Sequence, residues 1–225
     1  PKTSVIIAQG VDTTTLDPHL HNETTSANIT WQIFDGLLRR GSDMKLEPEL
    51  ALSVEPVSDL TWELKLRPGV RFHNGEEFDA ASVKFSLERI LDPATKSPQI
   101  SNLSFIDRVE IIDSLTVQIT TRLPYPLLRE RLILPMVPPE YIREHGALYF
   151  AANPVGTGPY QFVSWMKDEA VVLAANPAYW RGAPAIAQAT FRPIPENSAR
   201  AAELQTGAVD LIVNIPPHLA ENIKT

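Results

Sequence analysis

His19 and His21, one residue apart, are the pair whose type and spacing come nearest to reactive chemistry. On a strand, an H-x-H spacing sets two imidazoles on one face, where they can share a metal ion. Two ligands on a loop are too few for a metal by themselves, so no metal is assigned. The glycines of NPVGTGPYQFVSW, residues 153–165, raise a second possibility, phosphate binding. A phosphate loop needs a Lys-Ser/Thr ending and a following helix. Here Gly158 precedes Pro159, and Tyr160 to Trp165 reads as a strand, so phosphate is a poor reading. Cysteine is absent, which excludes disulfides, thiol nucleophiles and thiolate metal sites. No G-x-S-x-G sequence supplies a serine nucleophile. Glu76-Glu77 falls in a turn and reads as solvated surface, and His73 in the same turn as structural or solvated. The expectation is a protein without catalytic residues or cofactor; a hydrolase is the rival class, with no motif to recommend it.

Composition points the same way. A net charge of −7 with scattered Lys and Arg disfavours nucleic acid, whose binders carry basic patches. No apolar run approaches the length of a bilayer span. The chain opens at Pro1 without an initiator Met or an export-signal pattern. It is therefore expected to be a processed mature form, or an expression product, with any export signal removed. Twenty prolines, gathered at segment junctions, predict many short strands and loops rather than a helical bundle.

The elements that must position these residues follow from periodicity. Ser4 to Ala8 is a nearly continuous apolar run, expected of a strand buried on both faces. A long polar loop over residues 10–25 leads to a helix with Ala27, Trp31, Phe34 and Leu38 on one stripe. Thr24, Thr25 and Ser26 are its candidate caps, and Gly41 its stop. Trp62, Leu64 and Leu66 alternate on one face of a strand. His73-Asn74-Gly75 forms a turn in which Asn-Gly tolerates positive φ. Asp79 caps a helix that buries Val83, Leu87 and Ile90 and ends at Asp92-Pro93. Residues 108–112 and 115–121 form a hairpin around Asp113-Ser114. A proline-rich crossing, residues 134–139, precedes a short helix ending near Gly146. Strands follow at 160–165, 170–174, 189–194 and 209–213, with a helix capped by Asn197 and stopped by Gly207. A further helix begins at Pro216 and runs toward Thr225. The pattern is α/β with mixed sheets in two lobes.

Several long stretches together carry a family resemblance. TWELKLRPGVRFHNGEEFDAASVKFSLER, and GTGPYQFVSW followed by VVLAANPAYWRGAPAIAQATFRPIPENSARAAELQTGAVDL, resemble the solute-binding proteins of dipeptide, oligopeptide and nickel ABC transporters (extracellular solute-binding family 5). LDPH followed by TWQIFDGLL is similar to the amino-terminal segment of that family. The resemblance covers nearly the whole chain in order. It implies a periplasmic binding protein-like, class II-type clamshell. The core of the first lobe would comprise residues 1–40 and 151–225, with residues 41–150 as an inserted subdomain. The second lobe is absent from this chain, which resembles the first half of such a protein. The glycine loop at 155–159 then becomes a structural re-entry point into the first lobe, with Tyr160, Phe162 and Trp165 as packing residues.

In an open α/β sheet, ligands sit outside the carboxyl ends of the strands, so the loop after the first strand is the physical candidate for a site. The resemblance implies the same place: the residues after the LDPH-like turn, His21, Asn22, Glu23 and Thr24. They precede a helix N-terminus, whose free N–H groups suit a carboxylate or carbonyl, and Glu23 is a candidate for a cationic amine. The implied function is capture of a peptide or similar small solute, in the periplasm or outside the cell in association with the membrane, for delivery to ABC permease subunits. Nickel, opine, sugar or haem solutes are the alternatives within the family, and a ligand sensor or chaperone on the same fold differs by partner.

Overall fold

The computed structural model describes residues 2–223. In chain order the elements are β1 (Ser4–Gln9), α1 (Thr24–Ile33), β2 (Leu38–Arg40), β3 (Leu46–Pro48), β4 (Ala51–Pro56) and β5 (Thr61–Leu66). Next come α2 (Ala80–Leu91), β6 (Ile106–Asp113), β7 (Thr116–Thr121), α3 (Leu128–Arg131), α4 (Pro139–His145) and α5 (Ala147–Ala152). The chain continues through β8 (Tyr160–Met166), β9 (Ala170–Ala175), β10 (Gln188–Pro193), α6 (Asn197–Thr206), β11 (Leu211–Ile212) and α7 (Pro217–Ile223). The last two residues of the expected terminal helix, Lys224 and Thr225, lie outside the described residues.

Two sheets carry two cores. One sheet has the order β11-β1-β10-β9-β8, with β1 parallel to both β10 and β11. Under it Leu16, Ile29, Ile33, Phe34, Phe150 and Phe191 form a buried cluster. The other sheet, antiparallel in the order β4-β5-β7-β6, packs with α2 over a second cluster that includes Trp62, Leu64, Val83, Leu87 and Ile90. α2 is well specified locally. Asp79 accepts from the Ser82 N–H at 3.0 Å, and the Ser82 hydroxyl answers the Asp79 backbone, a capping box. Val83, Leu87 and Ile90 are fully buried, each such side chain contributing about 1.5–3 kcal/mol by its removal from water.

The expected first helix is where sequence and structure differ most. α1 stops at Ile33, and Leu38 to Arg40 is a strand. The carbonyl of Ile33, which a continuing helix would give to Leu37, accepts instead from the Gly158 N–H at 2.8 Å. Phe34 is already extended, at φ −121° and ψ 149°. The buried stripe is Ser26, Ile29, Thr30 and Ile33, which leaves Trp31 39% exposed beside a groove rather than in the core. Glu23, one residue before the expected caps, takes the N-cap position.

Smaller corrections follow. Only Ala8 and Gln9 of β1 are buried; Val5, Ile6 and Ile7 are half-exposed, so the strand is not covered on both faces. In the 73–75 turn only Gly75 has positive φ, since the turn hydrogen bond closes from its N–H to Phe72. Glu196, not Asn197, caps α6 by accepting from the Ala199 N–H at 2.7 Å. β11 shrinks to two residues at a sheet edge.

Candidate functional site

The site grows out of the turn after β1. Asp17 is fully buried and its Oδ1 accepts from Arg89 Nη1 at 3.0 Å. The same Nη1 donates to His19 Nδ1 at 3.0 Å, so the remaining ring proton sits on Nε2, which donates to the Pro135 carbonyl at 2.9 Å. Burial pushes the His19 pKa down to about 4, with Asp17 opposing the shift, and the ring is neutral at pH 7. From the segment after α2, Ser97 Oγ donates to the His19 carbonyl at 2.6 Å. Gln99 Nε2 donates to Pro18 and His21 carbonyls at 2.6 and 2.8 Å. The turn is thus clamped from α2 and the segment behind it. The His19/His21 pair does not form a shared face: both nitrogens of His19 are engaged, and His21 points its Nε2 at Thr30 Oγ1, 3.2 Å away.

The four candidate residues divide two and two. His21 and Asn22 line a cavity of about 220 Å³ between α1 and residues 99–135. Ala27, Thr30 and Trp31 form its α1 side, and Gln99, Asn102, Leu134 and Pro135 face them. Glu23 and Thr24 stand outside this lining. Glu23 is occupied instead: its Oε1 accepts from the Thr14 and Ser26 hydroxyls, each at 2.6 Å, and its Oε2 from the Asn22 N–H at 3.2 Å. Burial opposes ionisation of Glu23, but these donors outweigh it and hold the pKa down at about 2. Its ionised carboxylate therefore shapes the loop, and it stands outside the cavity lining. The cavity wall is uncharged: amides at Asn22, Gln99 and Asn102, a hydroxyl at Thr30, a neutral imidazole at His21, and the Trp31 indole. Burial also lowers the His21 pKa. Such a surface suits neutral hydrogen-bonding groups and flat apolar area, as in a peptide backbone.

The glycine loop has a visible reason. A Cβ on Gly156 would collide with the Ile33 carbonyl, and one on Gly158 would lie 2.6 Å from the Ile33 carbonyl carbon. These glycines let the loop close over the end of α1, which places Thr157 Oγ1 2.9 Å from Asp35 Oδ2. His73 bridges to the same loop, accepting from the Gly156 N–H at 3.3 Å and donating to the Gly158 carbonyl at 3.0 Å. It is structural and not solvated; burial lowers its pKa to about 4.

Asp35 and Glu49 form a buried acidic centre that sequence reasoning passed over. Asp35 accepts from Thr157, from Tyr179 OH and from Trp180 Nε1, the latter two at 3.0 Å. Glu49 accepts the Gly36 N–H at 2.9 Å and has Arg181 3.8 Å away. Burial, then the Asp35 charge, raises Glu49 to about 7. Both line a second cavity, of about 400 Å³, whose rim carries Arg39, Arg40 and Arg181. Arg89 carried a sequence signal, a charge set among the buried positions Ser86, Leu87 and Ile90 of α2. Gln99 and Asp35 carried none, because their partners are more than 75 residues distant.

Comparison with known proteins agrees with this architecture. The family model described as bacterial extracellular solute-binding proteins, family 5 Middle, matches residues 45–225. The glutathione-binding protein GsiB of Pectobacterium atrosepticum is 38% identical over 216 residues, covering 94% of this chain and 42% of that protein. NikZ from Campylobacter jejuni, solved in complex with Ni(L-His), has a TM-score of 0.91 and 32% identity over 100% of this chain and 46% of its own. DppA from Helicobacter pylori, in complex with the peptide STSA, has a TM-score of 0.90 and 28% identity over 98% of this chain and 48% of its own. The chain spans less than half the length of each.

Proposed function

Because the chain belongs to the bacterial extracellular solute-binding proteins of family 5, we propose that it supplies the first-lobe half of a solute site in the binding component of an ABC importer. The protein would capture a peptide or similar small solute in the periplasm or at the outer face of the membrane and pass it to permease subunits. Residues 1–40 and 151–225 would form the lobe core and residues 41–150 the inserted subdomain; the pairing of β1 with β10 and β11 supports this division. The observation that carries the site is the cavity in which His21 and Asn22 meet Gln99, Asn102 and Trp31. The Asn22 and Asn102 amides and the amide oxygen of Gln99, whose N–H groups hold the turn, match the backbone groups of a peptide, and the lack of charge leaves the ends of the solute to be met elsewhere.

Glutathione and nickel-histidine, named for the relatives GsiB and NikZ, are small solutes with amide or carboxylate groups and stand as the second reading. Native mass spectrometry of the full-length protein isolated from its own host tests the choice. A co-purified adduct with peptide masses is expected. An adduct of metal-amino-acid mass supports the second reading, and a preparation with no adduct that also fails to take up added peptide contradicts the proposal.

A further inference from the structure

The two cavities are consecutive compartments of one groove. Trp31 lines both. On the α1 side, Ala27 and Thr30 belong to the smaller cavity and Phe34 to the larger. On the opposite wall, Leu134 and Pro135 belong to the smaller and their neighbour Ile133 to the larger. The groove between α1 and residues 133–135 is therefore interrupted at one side chain, the 39% exposed indole of Trp31. The compartments differ in chemistry. The smaller, about 220 Å³, has an uncharged wall; the larger, about 400 Å³, has three guanidinium groups at its rim. The carboxylates on its floor are already engaged, Asp35 by three side-chain donors and Glu49 by the Gly36 N–H. Arg39 and Arg40 are paired with Glu47 and Glu130, whereas Arg181, itself exposed, has Glu49 no nearer than 3.8 Å and lies over the Trp180 ring at 5.6 Å.

We infer that Trp31 is a specificity-determining residue: it divides the groove and confines solute to the neutral compartment, and without it a longer peptide would extend to place a carboxylate against the arginine rim. This rests on the assignment of the smaller cavity as the solute site. An indole fills far more of a groove than a methyl group, and its flat face gives a short solute area to pack on. Removing it exchanges that contact for length. The carboxylate of the added length meets Arg181, and a charge-assisted hydrogen bond there offsets part of the lost packing.

The test uses NMR titration of this 225-residue chain with two probes, Ala-Ala and Ala-Ala-Ala-Glu, on wild type, Trp31→Ala and Trp31→Phe. In wild type both peptides are expected to shift the side-chain amides of Asn22 and Gln99 and to leave Arg39 Nε–H and Arg181 Nε–H unmoved. In Trp31→Ala the tetrapeptide should also shift the Arg181 signal, and its affinity relative to Ala-Ala should rise about tenfold. Trp31→Phe, which keeps an aromatic divider, should weaken both peptides alike while leaving the arginine signals unmoved, so that loss of the divider is separated from loss of packing area. Equal weakening of both peptides in Trp31→Ala with silent arginines overturns the divider, as does movement of the arginine signals in wild type. Failure of either peptide to shift Asn22 and Gln99 in wild type overturns the assignment of the solute site itself, a separate and visible result.

Discussion

Replacing Glu49 with Gln is expected to stabilise the protein above neutral pH and to leave it unchanged in mild acid. Glu49 is 6% exposed. It has a single backbone donor at 2.9 Å and its nearest cation 3.8 Å away, with the Asp35 carboxylate close by. Burial and that neighbouring charge move its pKa from 4.5 to about 7, which corresponds to about 3 kcal/mol of disfavoured ionisation. A carboxyl with a raised native pKa binds its proton more tightly folded than unfolded. The native state therefore loses stability as pH rises from 4.5 to about 7, and the full cost is present above that. Gln keeps the oxygen that accepts from Gly36 and removes the charge. Allowing about 1 kcal/mol for burying the amide, Glu49→Gln should gain about 2 kcal/mol at pH 8. At pH 4.5 it should match wild type to within about 1 kcal/mol. For a chain of this size the gain is a melting-temperature rise of about 4–8 °C. Urea unfolding at pH 4.5, 6 and 8, followed by tryptophan fluorescence, measures it. A variant that unfolds at the same or lower urea concentration at pH 8 would show that Glu49 is ionised and well paired, and the reasoning would fail.

Three further outcomes are expected. His19 and His73, both held neutral by burial with pKa values near 4, should keep their ring proton shifts unchanged from pH 8 to about 5. Their contribution to stability should then decline as pH falls from 6.5 through 4, opposite in sign to that of Glu49, because the unfolded state takes up those protons first; titration of either ring near 6.5 in the folded protein contradicts this. Gly156→Ala should cost at least about 3 kcal/mol in urea unfolding, since the new methyl meets the Ile33 carbonyl; Gly69→Ala, with nothing within 4 Å but φ at +76°, should cost about 1 kcal/mol. Arg89→Leu should cost about 3–5 kcal/mol by leaving Asp17 buried without its cation, and a loss below 1 kcal/mol would mean that the clamp on the turn is unimportant.

The parts of the fold legible in the sequence were those set by local patterns. Alternation at Trp62, Leu64 and Leu66 and the Asp79 cap of α2 each reappear in the structure, because turn chemistry and periodicity act over a few residues. The end of α1 was not legible: Ile33 is stopped by Gly158, 125 positions later in the chain, and a periodic stripe through Leu38 gave no hint of it. The same holds for the site. The rule that ligands gather beyond strand ends singles out the loop after β1, and the family resemblance the positions His21 and Asn22 in it, whereas Gln99, Asn102 and Leu134 reach the cavity only through the tertiary fold. The hydroxyls of Thr14 and Ser26 that hold the Glu23 carboxylate in the loop were likewise not legible in the sequence.

The central claim is that the uncharged cavity between α1 and residues 99–135 is where solute meets this lobe. Titration of the 225-residue chain with Ala-Ala-Ala, followed through the side-chain amide signals of Asn22, Gln99 and Asn102, tests it most directly. With one lobe's contacts present and the entropic cost of capture undiminished, binding should be weak, about −4 kcal/mol or a millimolar Kd. Those three amides should move together, and a paired Asn22→Ala, Asn102→Ala variant, which spares the Gln99 clamp, should abolish binding while its melting temperature stays within a few degrees of wild type. Shifts confined to other surfaces, or unaltered affinity in the paired variant, would contradict the account.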